Sequence, residues 1–299
     1  MIVRPLLQAL DRLLPDPEPP LVIEIGDRAV AGARRSGRAV LERAERPLPR
    51  ADGAGAGDAA TDGLGTAVRE LLHALSPLPG PHAAVLLPDA ETRLAVFEFD
   101  RLPRRSRELR SAVEERFRKS LPFAIRSARI AYRAQAGGRR PSVLASAAPA
   151  DYVARCERAC EEAGLVPGYV GAAAVAALNL VADAGTTLLV KLGMRTMTMA
   201  AVEDGAVLLV RRIALPPDFA ARPDSAVREI VSDLFPTLVY MEENLGKAAA
   251  QVLVAAPGSI LGPALELLPR EITASVGPLV RAERPAGNCD AGLMGYIHG

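Results

Sequence analysis

Two short apolar segments of this sequence end in glycine, and a charged residue stands two positions before each glycine. The first reads Leu21-Val22-Ile23-Glu24-Ile25-Gly26-Asp27-Arg28 and the second Leu188-Leu189-Val190-Lys191-Leu192-Gly193-Met194-Arg195. A glycine at the end of a strand lets the backbone approach a ligand closely, and the N–H groups of such a turn form a concave cradle for anions. Glu24 and Lys191 bring opposite charges to equivalent places. If the two turns face each other, these side chains pair across a cleft. Two alternatives stay open. Both side chains are simply solvated, or Lys191, Arg28 and Arg195 hold phosphate groups as point charges. Asp27 puts a carboxylate where a phosphate would lie, which repels it unless a cation intervenes.

No second constellation competes. The sequence has no Walker-type loop, no Gly-x-Ser-x-Gly elbow and no histidine-bearing triad, and Gly258-Ser259 reads as loop. His73, His82 and His298 offer no metal-ligand spacing. Cys156, Cys160 and Cys289 are too few and too scattered for a disulfide framework, which fits a reducing compartment. Cys156 and Cys160 are four apart, share a helix face, and read as buried structural thiols rather than a redox or metal site.

The elements that position the two turns have 299 residues to draw on, enough for two domains of ordinary size. Apolar residues make up 49 %, aromatics 4 %, and tryptophan is absent, so the core is built of Ala, Val and Leu. A net charge of +1 argues against a general nucleic-acid binder. No secretory signal is visible, and the most apolar stretch, Gly171 to Ala182, is about half of what a bilayer crossing needs. A cytoplasmic protein without membrane insertion is expected.

Along the chain, Met1 to Leu14 sets Ile2, Val3, Leu6, Leu7, Leu10, Leu13 and Leu14 on one helical stripe before a proline-rich break at residues 15–20. This helix either packs on the body or docks elsewhere. Strands are expected at Leu21–Ile25, Ala29–Arg34 and Arg38–Ala44, a flexible loop at Ala51–Gly65, a helix at Val68–Leu75 and a strand at Ala83–Leu87. The texture changes at Leu94–Phe99 (strand), Arg104–Ser120 (charged helix) and Arg129–Tyr132 (strand), which together read as an inserted β-α-β piece at about residues 93–135. Its arginines (Arg101, Arg104, Arg105, Arg107, Arg110) read as a solvated face or as a contact for an acidic partner or lipid headgroups. A strand at Val143–Ala147, a helix at Asp151–Ala163 and a small-residue helix at Ala172–Ala182 follow.

The second half repeats the first. Aligning Leu21–Ala33 with Leu188–Ala200 sets Gly26 on Gly193 and Arg28 on Arg195. Ser36-Gly37 then matches Asp204-Gly205, and each copy continues as strand, helix, strand. Strand, strand, strand, helix, strand, twice over, resembles the duplicated ribonuclease-H-like unit of the actin, Hsp70 and sugar-kinase group. The implied fold is α/β and two-lobed: residues 1–20 as N-terminal helix and linker, 21–185 as a first lobe carrying the insertion, and 186–299 as a second lobe. In that architecture the turn of each first hairpin points into an interlobe cleft, and an acid two residues before each glycine positions metal and water.

The insertion narrows the resemblance. Phe97 to Pro103, Glu108-Leu109, Leu121-Pro122-Phe123 and Ile130 to Tyr132 resemble the signature insertion of the PilM family, the actin-like proteins of the type IV pilus inner-membrane platform. The Ala163-Gly164-Leu165-Val166-Pro167 segment, which reads as a turn, and Ala172 to Leu178, Glu229-Ile230, Leu238-Val239-Tyr240 and Ala291-Gly292-Leu293 are similar to later family segments. The resemblance implies a cytoplasmic scaffold that receives the N-terminal cytoplasmic peptide of a bitopic PilN-like partner and links to the pilus assembly ATPase. The GspL proteins of type II secretion are relatives of that family. It further implies a peptide groove with Phe97, Phe99, Phe117, Phe123 and Tyr132 as one wall and Ala29, Val30 and Ala31 as the other.

Four departures from the family's ATP site stand out. The first loop has Glu24 and Asp27 in place of an aspartate and a small polar residue, and the second has Lys191 for an acid. Ala256-Pro257-Gly258-Ser259 replaces a Gly-Gly adenosine loop, and Pro257 removes a backbone donor. The segment from Pro216 to Asp224 is too short for the subdomain that covers a nucleotide base. Together they predict a protein that does not hydrolyse ATP, with neither ATP nor Mg²⁺ as a required cofactor.

Overall fold

The computed structural model describes residues 19–49, 56–78, 80–135, 140–182, 185–279 and 291–299, with the side chains of 56–62, 220, 223 and 224 excepted. The expected N-terminal helix, the start of the 51–65 loop and Cys289 lie outside the described residues.

The first lobe is a five-stranded sheet in the order β3-β2-β1-β4-β8, with β1 at Leu21–Ile25, β2 at Ala29–Ser36, β3 at Ala39–Pro47, β4 at His82–Leu87 and β8 at Val166–Ala172. The second lobe has the order β11-β10-β9-β12-β13, with β9 at Thr187–Leu192, β10 at Thr196–Glu203, β11 at Ala206–Ala214, β12 at Gln251–Ala255 and β13 at Ser275–Pro278. The two orders correspond strand for strand. In each lobe an antiparallel meander is followed by parallel strands, since β1 pairs β4 and β9 pairs β12 in parallel. The first strand of each lobe is therefore central and buried on both faces, which explains its unbroken apolar run. Glu24 and Lys191 are the exceptions to those runs.

Helices α1 (Ala56–Ala74) and α3 (Ala150–Glu162) cover the outer face of the first sheet, where Leu71, Leu75, Cys156 and Cys160 meet Ile23, Val30 and Val85. Helices α5 (Pro223–Tyr240) and α6 (Gly258–Glu271) do the same for the second, with Ile230, Leu234 and Ile260 against Leu188, Val190 and Met199. Between the sheets lie α4 (Ala173–Ala177) and α7 (Ala291–His298). Ala173, Ala176, Leu293 and Ile297 pack on Val22, Ala31 and Leu86 of the first sheet, while Ala177 and Ala291 pack with Leu189, Ala200 and Val202 of the second. A Cβ on Gly292 would stand 2.8 Å from that of Ala173, and one on Gly295 would run into the Ala176 carbonyl. The alanine and glycine run is the condition for this close approach. Among the described residues, no helix is long and apolar enough to cross a membrane.

The third sheet, in the order β5-β7-β6, joins β5 (Arg93–Glu98), β6 (Ala128–Gln135) and β7 (Ser142–Pro149), and α2 (Ser106–Arg118) lies on it. β7 is its central strand, so this sheet runs beyond residue 135 to Pro149. Three further expectations differ. The loop expected at residues 51–65 is helical from Ala56, because its alanines are strong helix formers even among glycines. Val166-Pro167, expected as a turn, begins β8, where an edge position tolerates proline. The helix expected at 172–182 ends at Ala177 in a 3₁₀ turn, Leu178–Leu180. Arg105, which caps α2, and Arg110 on it are exposed and pair locally, with Glu108 at 3.3 Å and Glu114 at 2.9 Å.

Candidate functional site

The two glycine turns face each other and close in the same way. Gly26 N–H donates to the Ala29 carbonyl at 2.8 Å, and Gly193 N–H to that of Thr196 at 2.8 Å. One step on, the carbonyls of Arg28 and Arg195 accept from Leu48 and Leu215. The repeat register read from the sequence thus places equivalent backbone groups at the cleft.

The cradle of the second turn is filled from within the chain. Oδ2 of Asp27 accepts both the Met194 and Arg195 N–H groups at 3.0 Å, and Oδ1 accepts Arg195 Nε at 2.9 Å. The Asp27 carboxylate thus occupies the place that an anion would take. Gly193 makes the approach possible, since a Cβ there would stand 3.1 Å from Asp27 Oδ2. Nη2 of Arg195 continues to Glu91 at 2.9 Å. The Arg195 pKa is raised: burial alone would lower it, and the bonds to Glu91 and Asp27 outweigh that cost.

Deeper in the cleft, Lys191 Nζ lies 2.9 Å from Asp89 Oδ2 and 3.6 Å from Glu24 Oε1, with the three side chains 11, 5 and 3 % exposed. Each carboxylate uses its other oxygen on a helix start: Asp89 Oδ1 accepts from Ala174 N–H of α4 at 3.0 Å, and Glu24 Oε2 from Leu293 N–H of α7 at 2.7 Å. Two acids around one ammonium leave an excess negative charge, and these N–H donors compensate it. Arg212 of β11 fastens the turn that carries Asp89, its Nη1 donating to the carbonyls of Asp89 (2.9 Å), Ala90 (2.7 Å) and Thr92 (3.3 Å).

What remains between the turns is about 20 Å³, lined by Glu24, Gly26, Asp27, Asp89, Lys191 and Gly193 among others. That is space for one water, against the several hundred Å³ of a ligand pocket. Arg28 reaches its rim and is exposed. Pro257, Gly258 and Ser259 do not line it: Pro257 caps α6, and its carbonyl accepts from Ile260 and Leu261. Between β11 and α5 there is only one 3₁₀ turn, Phe219–Ala221, with no room for a further subdomain.

Sequence reasoning found Glu24, Asp27, Lys191 and Arg195 but missed Asp89, Glu91 and Arg212. Asp89 had a usable signal. It follows Pro88 at the carboxyl end of β4, the parallel neighbour of β1, where α/β sheets gather functional side chains. Arg212 had none, because its partners are backbone carbonyls of the other lobe.

The expected peptide wall needs correction. Ala29, Val30 and Ala31 are 3, 0 and 0 % exposed, and Phe117 is 1 % exposed. Phe97, Phe99, Phe117 and Tyr132 share the small core under α2, with Phe97 and Phe117 edge to face at 5.0 Å. A three-stranded sheet with one helix has few apolar residues and uses its aromatics to close itself. Phe123 is half-buried and outside that core. Tyr132 alone of the eight residues lines the larger concavity, about 570 Å³ between β6 and β8, together with Tyr169, Val170, Val175, Leu178 and Val207. A second of about 400 Å³ adjoins it at Ala131, Ser146 and residues 170–172. β6 and β8 are both edge strands.

No protein-family model matches the sequence, and no curated protein sequence does. Solved structures do. A chain of a PilM–PilN type IV pilus biogenesis complex superposes with a TM-score of 0.77 at 20 % identity, covering 93 % of this chain and 97 % of that one. A Bacteroides thetaiotaomicron protein with an actin-like ATPase fold and unknown function reaches 0.55 at 9 % identity, covering 87 % and 90 %. An inorganic polyphosphate/ATP-glucomannokinase from Arthrobacter sp. strain KM reaches 0.51 at 16 %, covering 94 % and 97 %. The chain has the actin-like fold.

Proposed function

We propose that this protein is a non-catalytic scaffold of a type IV pilus or related secretion platform, held at the cytoplasmic face of the inner membrane through a PilN-like partner. The observation that carries this reading is the self-occupied cleft. The Asp27 carboxylate sits in the Met194–Arg195 cradle, Lys191 bridges Glu24 and Asp89, and about 20 Å³ is left. An actin-like cleft that opens and closes on a nucleotide needs the space that these side chains fill. Support for the partner comes from the extent of the likeness to the PilM–PilN complex chain. Further support is the groove between β6 and β8, two edges that accept an extended apolar peptide by strand addition.

Two titrations test this. Calorimetry with ATP and Mg²⁺ is expected to give no heat, and micromolar binding overturns the reading in favour of a nucleotide-binding protein. The cytoplasmic N-terminal peptide of a PilN-like protein is expected to bind, and Val175→Arg, on the groove, to weaken it at least tenfold. Phe235→Arg, on the far lobe, is expected to leave it unchanged. Equal binding to both variants moves the partner surface elsewhere.

A further inference from the structure

The groove between β6 and β8 lies beside the point where residues 1–18 join the described fold. Pro19 Cγ is 3.9 Å from where a Cβ on Gly168 would stand, so the N-terminal segment enters at the middle of β8. The strand carries an unusual surface there. Val166 and Tyr169 are 48 and 41 % exposed on an edge with no neighbouring strand among the described residues. Tyr169 leans on Tyr296 of α7 at 5.1 Å between ring centroids and forms one rim of the 570 Å³ concavity. The preceding segment carries an apolar stripe in its sequence at helical spacing: Ile2, Val3, Leu6, Leu7, Leu10, Leu13 and Leu14.

We infer that residues 1–14 dock in cis in the groove between β6 and β8, laying their leucine stripe over Tyr169, Val175 and Leu178 and competing with any partner peptide for it. This rests on reading the groove as a docking surface, not on the identity of the partner. The reach is sufficient. Residues 15–18 span at most about 14 Å when extended, so the stripe begins within that distance of Gly168, and 14 helical residues cover about 21 Å. The prolines in that linker (Pro15 and Pro17, next to Pro19 and Pro20) stiffen it and keep the stripe from continuing into β1. A tether this short holds the segment at an effective concentration of roughly millimolar. A segment whose own affinity for the groove is about 0.1 mM is then bound in about nine molecules of ten, weakening a competing peptide roughly tenfold.

The test uses the full chain and two variants of the stripe, Leu6→Asp/Leu10→Asp and, independently, Leu7→Asp/Leu14→Asp. Amide hydrogen exchange of residues 169–172 and 175–181 is compared with wild type. Both variants are expected to speed it at least tenfold while leaving β9 and β12 unchanged. A PilN-like peptide is expected to bind both variants about tenfold more tightly than wild type. Unchanged exchange in both variants overturns the inference, even where the peptide binds wild type and variants equally and the scaffold reading stands. Faster exchange with no peptide binding to any form leaves the inference standing and removes the PilN-like partner. Protection that is lost when wild type is diluted from 100 µM to 1 µM makes the occupant a second copy of the chain and overturns docking in cis. Binding of wild type, but not of the variants, to phosphatidylglycerol vesicles with groove exchange unchanged assigns the stripe to a membrane surface and overturns it too.

Discussion

Replacing Lys191 by methionine tests whether the interlobe ion cluster holds the two halves together. The ammonium is 11 % exposed between two carboxylates that are 5 and 3 % exposed. Methionine keeps the length of the stem and removes only the charge. Asp89 and Glu24, which also accept N–H bonds from Ala174 and Leu293, then lose the cation they share. Removing one partner of a buried pair costs about 3–5 kcal/mol, chiefly because the remaining charge stays buried. With an m-value of about 3 kcal/mol/M in urea, the midpoint falls by roughly 1–1.7 M. Asp89→Asn alone costs less, since its amide oxygen still accepts from Ala174. The double variant returns part of the loss, with a coupling of about 1.5–3 kcal/mol on a double-mutant cycle. Because the cluster joins β1 and the turn after β4 of one lobe to β9 of the other, the wild type is expected to unfold in one transition and Lys191→Met in two, as the lobes melt separately. Additivity within about 0.5 kcal/mol, or an unchanged midpoint, refutes the argument: Lys191 would then be a solvated side chain that happens to point inward.

Gly295→Ala drives a methyl into the Ala176 carbonyl and pushes α7 off α4. It is expected to cost about 1–3 kcal/mol or more, seen as a lower thermal midpoint, whereas Gly262→Ala, inside α6 with nothing nearby, raises it, adding up to about 1 kcal/mol of stability. Burial pushes the Cys156 and Cys160 thiols up to about 12. In a Cys289→Ser background, iodoacetamide at pH 8 is therefore expected to label neither until the chain is unfolded, and rapid native labelling contradicts their burial. The Glu203 carboxyl is held below its ordinary value of 4.5, first by its hydrogen bond with Lys247 and then by that from Thr186. A depressed folded pKa gives stability that is present above pH 4.5 and lost as pH falls through the folded value. Glu203→Gln is expected to flatten that part of the acid limb in pH-dependent unfolding.

The amino-acid sequence by itself carried the duplication. The apolar runs at Leu21–Ile25 and Leu188–Leu192, the glycines that end them and the turns at Gly37 and Gly205 are local signals. Gly37 and Gly205, at φ +55° and +71°, fulfil them in backbone geometry. Period and turn chemistry are written residue by residue, so the repeated strand and turn order is legible before any contact is known, and its resemblance to the actin-like unit implies the cleft between the two turns. Tertiary structure decided the meaning of the charges. Asp27 reads as a clash with phosphate in isolation, and becomes the occupant of the cradle only because Met194 and Arg195, 167 and 168 positions away, turn their N–H groups to it. Asp89, Glu91 and Arg212 enter the cluster through pairings between lobes that no spacing encodes. The aromatics of the insertion went the other way: their types suit a binding wall, and the need of a small sheet to bury its own face took them into its core. Hydrophobic pattern is a property of a segment, whereas an ion pair or a groove belongs to surfaces that only folding brings together.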